Sequence, residues 1–148
     1  MAIGIPAAQL AALRKGTAAK PRKPIDTAAV DLLAFHVKAQ RLPTPDREYR
    51  FAAMAVGGTG AGVKERLRKA RLRDWRFDFA WPDQMVALEM DGGGFVGGRH
   101  GTGPGIEKDC EKYSNAAAMG WRLLRVTPRQ VKSGQAVDWI GKALEIRS

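Results

Sequence analysis

Apolar residues recur at three- and four-residue spacing through Val30, Leu33, Ala34 and Val37, the period of one face of an α-helix. Asp26 or Thr27 can cap that helix and Pro43 stops it, so the pattern predicts a helix over residues 27–41. The stretch REYRFAAMAV, residues 47–56, has aromatics at alternate positions 49 and 51 and predicts a strand ending in the loop GGTGAG. WRFDFAW then alternates Trp75, Phe77, Phe79 and Trp81 with Arg76, Asp78 and Ala80, which predicts a strand with one aromatic, core-packed face. Pro82 and Asp83 form a turn signal, and MVALEMDG follows as an antiparallel partner strand. Beyond a glycine-rich loop, IEKDCEKYSNAAAMG predicts a helix with Ile106, Cys110, Tyr113 and Ala117 on its inner stripe, Cys110 as small core filling and Gly120 as C-terminal cap. WRLLRVT reads as another strand, and GQAVDWIGKALEIR as an amphipathic helix through Val137, Ile140 and Leu144. This order predicts an α/β protein with a mixed sheet flanked by helices.

Size and charge refine that picture. A chain of 148 residues with 45% hydrophobic residues has room for a single domain, expected over residues 26–148. Residues 1–25 mix Ala with Lys, Arg and Pro and read as a mobile basic arm, with at most a short helix around Pro6 to Leu13. The balance of 25 Lys and Arg against 15 Asp and Glu gives +10 and points to a polyanionic partner, nucleic acid first. No apolar run approaches the ~20 residues that cross a bilayer, so a soluble cytoplasmic protein is expected. Much of the excess charge lies in a basic insert at about residues 57–74, where Lys64, Arg66, Arg68, Lys69, Arg71 and Arg73 outnumber Glu65 and Asp74. That segment suits a DNA-facing element, either a short helix or the limb of a long hairpin.

The acids suggest chemistry. Glu89 and Asp91 are two residues apart on one strand and share a face. A turn at Pro82 to Gln84 brings Asp78 beside Glu89, so three carboxylates are expected to converge. Such a cluster repels itself unless a cation neutralises it, and oxygen ligands suit Mg²⁺ or Mn²⁺. The lone Cys110 excludes an internal disulfide and a multi-cysteine zinc site. A divalent ion in this setting polarises a phosphodiester, which fits the basic chain around it. Arg99, between glycines and His100, is placed to reach a phosphate. Nucleotide binding by the glycines is disfavoured, because no Lys-Ser or Lys-Thr follows them to complete a P-loop.

The ordered set REYRF, WRFDFAWP, VALEMDGG, GGRH, EKDCEKY and GWRLLRVTP resembles the PD-(D/E)xK nuclease superfamily, in particular the phage and bacterial group related to very-short-patch-repair endonucleases. The resemblance spans roughly Thr27 to Val131 apart from the basic insert. It implies an αβββαβ restriction-endonuclease-like core and metal-dependent DNA cleavage, with Asp78 and Glu89 as metal ligands. The motif lysine is absent, because Asp91 stands where it belongs. A lysine from the following helix is a known variation, which makes Lys112 the candidate and Lys108, otherwise a DNA-contacting residue, the reserve. Spacing puts Lys112 away from the stripe of Ile106, Cys110 and Tyr113, where it would be an exposed residue paired with Asp109. Glu48 matches an acid that many relatives carry ahead of the core pair. His100 resembles a loop histidine that acts as a general base or touches the scissile phosphate.

The sequence therefore predicts a Mg²⁺- or Mn²⁺-dependent DNA endonuclease, preferentially resolving branched or recombining DNA. Nicking at mismatches is the second reading, and a non-catalytic DNA-binding module with a nuclease fold the third. A symmetric junction would favour a homodimer, because related positions on two strands need cutting.

Overall fold

The computed structural model describes residues 26–92 and 103–145. The expected N-terminal arm and the loop bearing Arg99 and His100 lie outside these residues. Helix α1 spans Thr27–Ala39, and Asp26 caps it as expected, its Oδ1 accepting from the Ala29 N–H at 3.1 Å. Ala29, Val30, Leu33 and Val37 form the buried stripe, while Ala34 faces out. The helix ends before Arg41 because Arg41 turns into the left-handed region (φ +56°) and the Leu42 N–H closes back onto the Val37 carbonyl.

The strand expected over residues 47–56 is much shorter. β1 covers Asp46–Tyr49, and Phe51–Ala55 coil into a one-turn helix, α2. FAAMA lacks the polar alternation of a half-buried strand, and a helical turn lets the consecutive residues Phe51, Ala52 and Ala53 all be buried. Gly57 and Gly58, at φ of +106° and +104°, then reverse the chain in a conformation that few side chains tolerate. The basic segment resolves as a helix, α3 (Val63–Lys69), with Leu67 as its buried anchor.

β2 (Phe77–Trp81) and β3 (Val86–Met90) form the expected antiparallel pair across a 3-10 turn at Pro82–Gln84. α4 (Gly103–Ala118) carries the chain to β4 (Arg122–Val126), which runs parallel to β3. A short helix missed by the sequence pattern, α5 (Pro128–Lys132), follows through a capping box between Thr127 and Gln130, and α6 (Gln135–Glu145) ends the described chain. The result is α/β: a four-stranded mixed sheet in the order β1-β2-β3-β4, flanked by helices. Among the described residues no helix is long and apolar enough to cross a membrane.

Apolar clusters cover both faces of the sheet. Phe79, Trp81, Val86, Leu88 and Val126 pack with α1 and α6 through Val30, Leu33, Val37 and Ile140. Phe77, Ala80 and Ala87 pack on the other side with Phe51, Leu67, Ala116 and Trp121. The aromatics of β2 are thus split between layers instead of sharing one face, and Trp75 precedes the strand, stacked on Phe51. The split falls at Asp78. Pairing of β2 with β3 extends only to Phe79 and Leu88, and beyond it the Asp78 carboxylate accepts the Met90 N–H at 2.8 Å. Phe77 is thereby released to stack on Phe51 at 4.1 Å.

Arg66 organises the loop before α3. Its Nε, Nη1 and Nη2 donate to the carbonyls of Val56, Ala61 and Gly58 at 2.8, 2.7 and 2.8 Å. One guanidinium fork thus satisfies three carbonyls that no regular element pairs. Replacing Arg66 by Ala is expected to cost about 1–3 kcal/mol in urea unfolding, whereas Lys64→Ala stays within about 0.5 kcal/mol. Equal stability of the two variants would rule out this structural role.

Candidate active site

Strand alternation builds the site on the face of the sheet covered by α4. On β3, Val86, Leu88 and Met90 join the α1 and α6 side, while Ala87 packs on the opposite side, which is also the side of Glu89. Phe79 with Leu88 is the last step of the β2 to β3 ladder, and just beyond it the Asp78 carboxylate accepts the N–H of Met90, the residue after Glu89. The β1 register, Arg47 with Phe79 and Tyr49 with Phe77, sets Glu48 across from Asp78. In the parallel ladder Glu89 is partnered by Arg125 of β4. Asp78, Glu89 and Arg125 thus come together from three neighbouring strands, with Asp78 close enough for its charge to bear on Glu89.

Lys112 reaches this cluster from α4. Its Nζ donates to Glu89 Oε1, and the two side chains are only 17% and 13% exposed. This overturns the expectation that Lys112 is an exposed partner of Asp109. It also corrects the expected stripe of α4. Ile106 and Cys110 are exposed, Ala116 is buried, and Lys112, Tyr113 and Met119 are half-buried. Hydrophobic periodicity misreads α4 because the helix covers a charged patch, and its inner face must supply a cation there. Lys108 stays on the exposed side.

Each of the three expected carboxylates has its own partner. Asp78 accepts from the Met90 amide, Glu89 from Lys112, and Asp91 from Arg125 Nη2 at 3.1 Å. Among the described residues no three His, Cys, Asp or Glu side chains come together as a metal-holding group, so the expected three-carboxylate convergence is not met. A competing cation explains Asp91: Arg125 draws its carboxylate into an ion pair. Glu48 lies 3.9 Å from Arg76 and holds a left-handed backbone (φ +50°), a conformation that costs a non-glycine residue roughly 1–2 kcal/mol.

The charges remain strongly coupled. Burial raises the Glu89 carboxyl from 4.5 to about 7; the Lys112 charge and hydrogen bond oppose that rise, while the charges of Asp78 and Asp91 add to it. Tyr113 is pushed up to about 12, first by burial and then by the Glu89 charge, with Arg125 acting in the opposite direction. Tyr113 was expected on the inner stripe of the helix but not at the site, and Arg125 was not expected at all; its signal was an arginine inside RLLRV, a strand otherwise readable as core, directly partnered with the acid in the ladder.

The basic residues of the insert divide by environment. Arg66 is committed to backbone carbonyls, Arg68 to Glu65 at 2.7 Å, and Arg73 to Glu111 at 3.4 Å. Lys64, Lys69 and Arg71 are exposed and have no ion-pair partner among the described residues. Comparison with protein-family models, with curated proteins and with solved structures gave no match for this chain.

Because the folded pKa of Glu89 lies above its unperturbed value, its stabilising contribution is complete below about pH 4.5 and is lost as the pH rises through about 7. A shift of that size corresponds to about 3 kcal/mol. Denaturant titrations between pH 4.5 and 8 should show stability declining over that window in the wild type and a flatter profile in Glu89→Gln. An unchanged slope in the variant would assign the pH dependence to other groups.

Proposed function

We propose that the protein is a divalent-metal-dependent endodeoxyribonuclease, in which Asp78 and Glu89 hold Mg²⁺ or Mn²⁺ and Lys112 takes the place of the motif lysine missing at Asp91. The observation that carries this reading is the Lys112–Glu89 ion pair, joined to the nearness of Asp78, whose carboxylate accepts the N–H of the residue after Glu89 and whose charge bears on Glu89. The order helix, three strands, helix, strand agrees with an αβββαβ restriction-endonuclease-like core, with α2 and α3 as the insert between β1 and β2. The resemblance of WRFDFAWP, VALEMDGG and EKDCEKY to the PD-(D/E)xK superfamily supports the same assignment.

The donor chemistry suits the ion. Neighbouring carboxylates offer hard oxygen ligands, and the raised pKa of Glu89 reflects burial first and then the nearby charges of Asp78 and Asp91, a situation in which a bound dication favours the ionised form. When bound, the ion supplies Lewis-acid polarisation of the phosphodiester. The chain's own groups supply the rest. The Met90 amide fixes Asp78, and Lys112 favours the ionised form of Glu89 while keeping N–H donors for a phosphoryl oxygen. Lys64, Lys69 and Arg71, together with a net charge of +10, favour a DNA backbone alongside. Within this reading branched or recombining DNA is the preferred substrate and mismatch nicking the second, the symmetry of a junction favours action as a homodimer, and the setting is the cytoplasm.

The test is incubation of labelled four-way junction, flap, mismatched and linear duplex DNA with Mg²⁺ or Mn²⁺. Wild type is expected to cut at least one substrate, with junction DNA preferred. Asp78→Ala should abolish cleavage, and Lys112→Ala should lower the rate by roughly 10²-fold or more. Absence of products from every substrate, or equal cleavage by Asp78→Ala, would sink the nuclease reading. Salt-sensitive DNA binding without any metal-dependent product would instead favour the binding-module reading.

A further inference from the structure

Arg125 is the charged side chain of the cluster that neither the motif resemblance nor helical arithmetic draws in. It sits beside Glu89 in the parallel β3 to β4 ladder, and three features set its posture. Asp91 holds one end, accepting from Nη2 at 3.1 Å. The Tyr113 ring lies under the guanidinium, 4.7 Å from its carbon. The side chain nevertheless stays 47% exposed, and the Asp91 contact is its sole hydrogen bond among the described residues. A guanidinium carries five N–H donors in a rigid fork, so most of this fork's donors have no hydrogen-bond partner among the described residues. An ordinary surface ion pair needs no aromatic platform and contributes little to stability.

We propose that Arg125 is the phosphate-contacting cation of this site and that Asp91 is a positioning residue for it, not a metal ligand. The inference rests on the reading of the cluster as one that receives a DNA strand, and it assigns the roles within it. The carboxylates of Asp78 and Glu89, close enough to bear on each other, repel a phosphodiester, so a strand entering there needs a fixed cation beside them. The planar fork offers two parallel N–H donors to two phosphate oxygens. Asp91 occupies the position of the missing motif lysine, and through Arg125 it presents a positive charge in spite of its own sign.

The two assignments separate experimentally. Anisotropy of a fluorescent four-way junction is measured in EDTA, which prevents cleavage, over about 50–200 mM KCl. Arg125→Gln should reduce the slope of log K against log salt by about one. Arg125→Lys should restore the slope but not the full affinity, since a point charge replaces a fork. Calorimetry with Mn²⁺ should show binding retained in Asp91→Asn and lost in Asp78→Asn, with thermal melts confirming that all variants are folded. An unchanged salt slope in Arg125→Gln, or loss of Mn²⁺ binding in Asp91→Asn, overturns the proposal. A wild type that holds no Mn²⁺ but shows the Arg125-dependent slope removes the nuclease reading and leaves the phosphate contact standing. A wild type that cuts DNA with a slope indifferent to Arg125 removes this inference alone.

Discussion

A carboxylate held mostly out of water on the face of a sheet requires a cation, and the Glu89–Lys112 pair answers that requirement. Much of the neighbouring structure follows from it. α4 must turn Lys112 inward, so its inner face is completed by Tyr113, Ala116 and Met119, and its apolar residue Ile106 is left outside. The pair neutralises only part of the local charge. Burial first, and then the charges of Asp78 and Asp91, keep the proton affinity of Glu89 far above that of a solvated carboxylate.

The sheet sets that tension in place by its register. Neighbouring strands bring Asp78, Glu89 and Arg125 together, though Arg125 lies far along the chain from the two acids. At Asp78 a side-chain carboxylate takes over from the backbone ladder, which lets Phe77 leave the layer of Phe79 and Trp81 and join the Phe51 and Trp121 cluster. The same residue thus ends the β2 to β3 pairing, redirects an aromatic into the second apolar layer and stands beside Glu89. On the adjoining strand β1, Glu48 holds a strained left-handed backbone.

Net charge alone is a poor guide to which basic residues face a partner. Arg66 spends its donors on three carbonyls, and Arg68 and Arg73 have acids beside them, so among the basic residues of the insert only Lys64, Lys69 and Arg71 are exposed without an ion-pair partner among the described residues. Arg125 is the reverse case. Its sequence setting is that of core, but its partners hold it at the surface beside the acids.

The local pattern by itself determined the elements whose signals are short-range: the Asp26-capped helix, the Pro82 turn with its antiparallel strands, and the amphipathic last helix through Val137, Ile140 and Leu144. The nearness of Asp78 to Glu89 was legible from the tight turn between their strands, although the contact made there, the Asp78 carboxylate on the Met90 N–H, replaces the regular ladder. The FAAMA turn was not, since burial of three consecutive small and aromatic residues depends on Phe77 and Trp75 arriving from later in the chain. Nor was the inner face of α4. Its direction is set by what it covers, and only tertiary structure puts Glu89 beneath it. The partners of Asp91 and Glu89 came from β4 and α4 for the same reason: an ion pair across 34 or 23 residues leaves no period in the sequence and is decided where the strands meet.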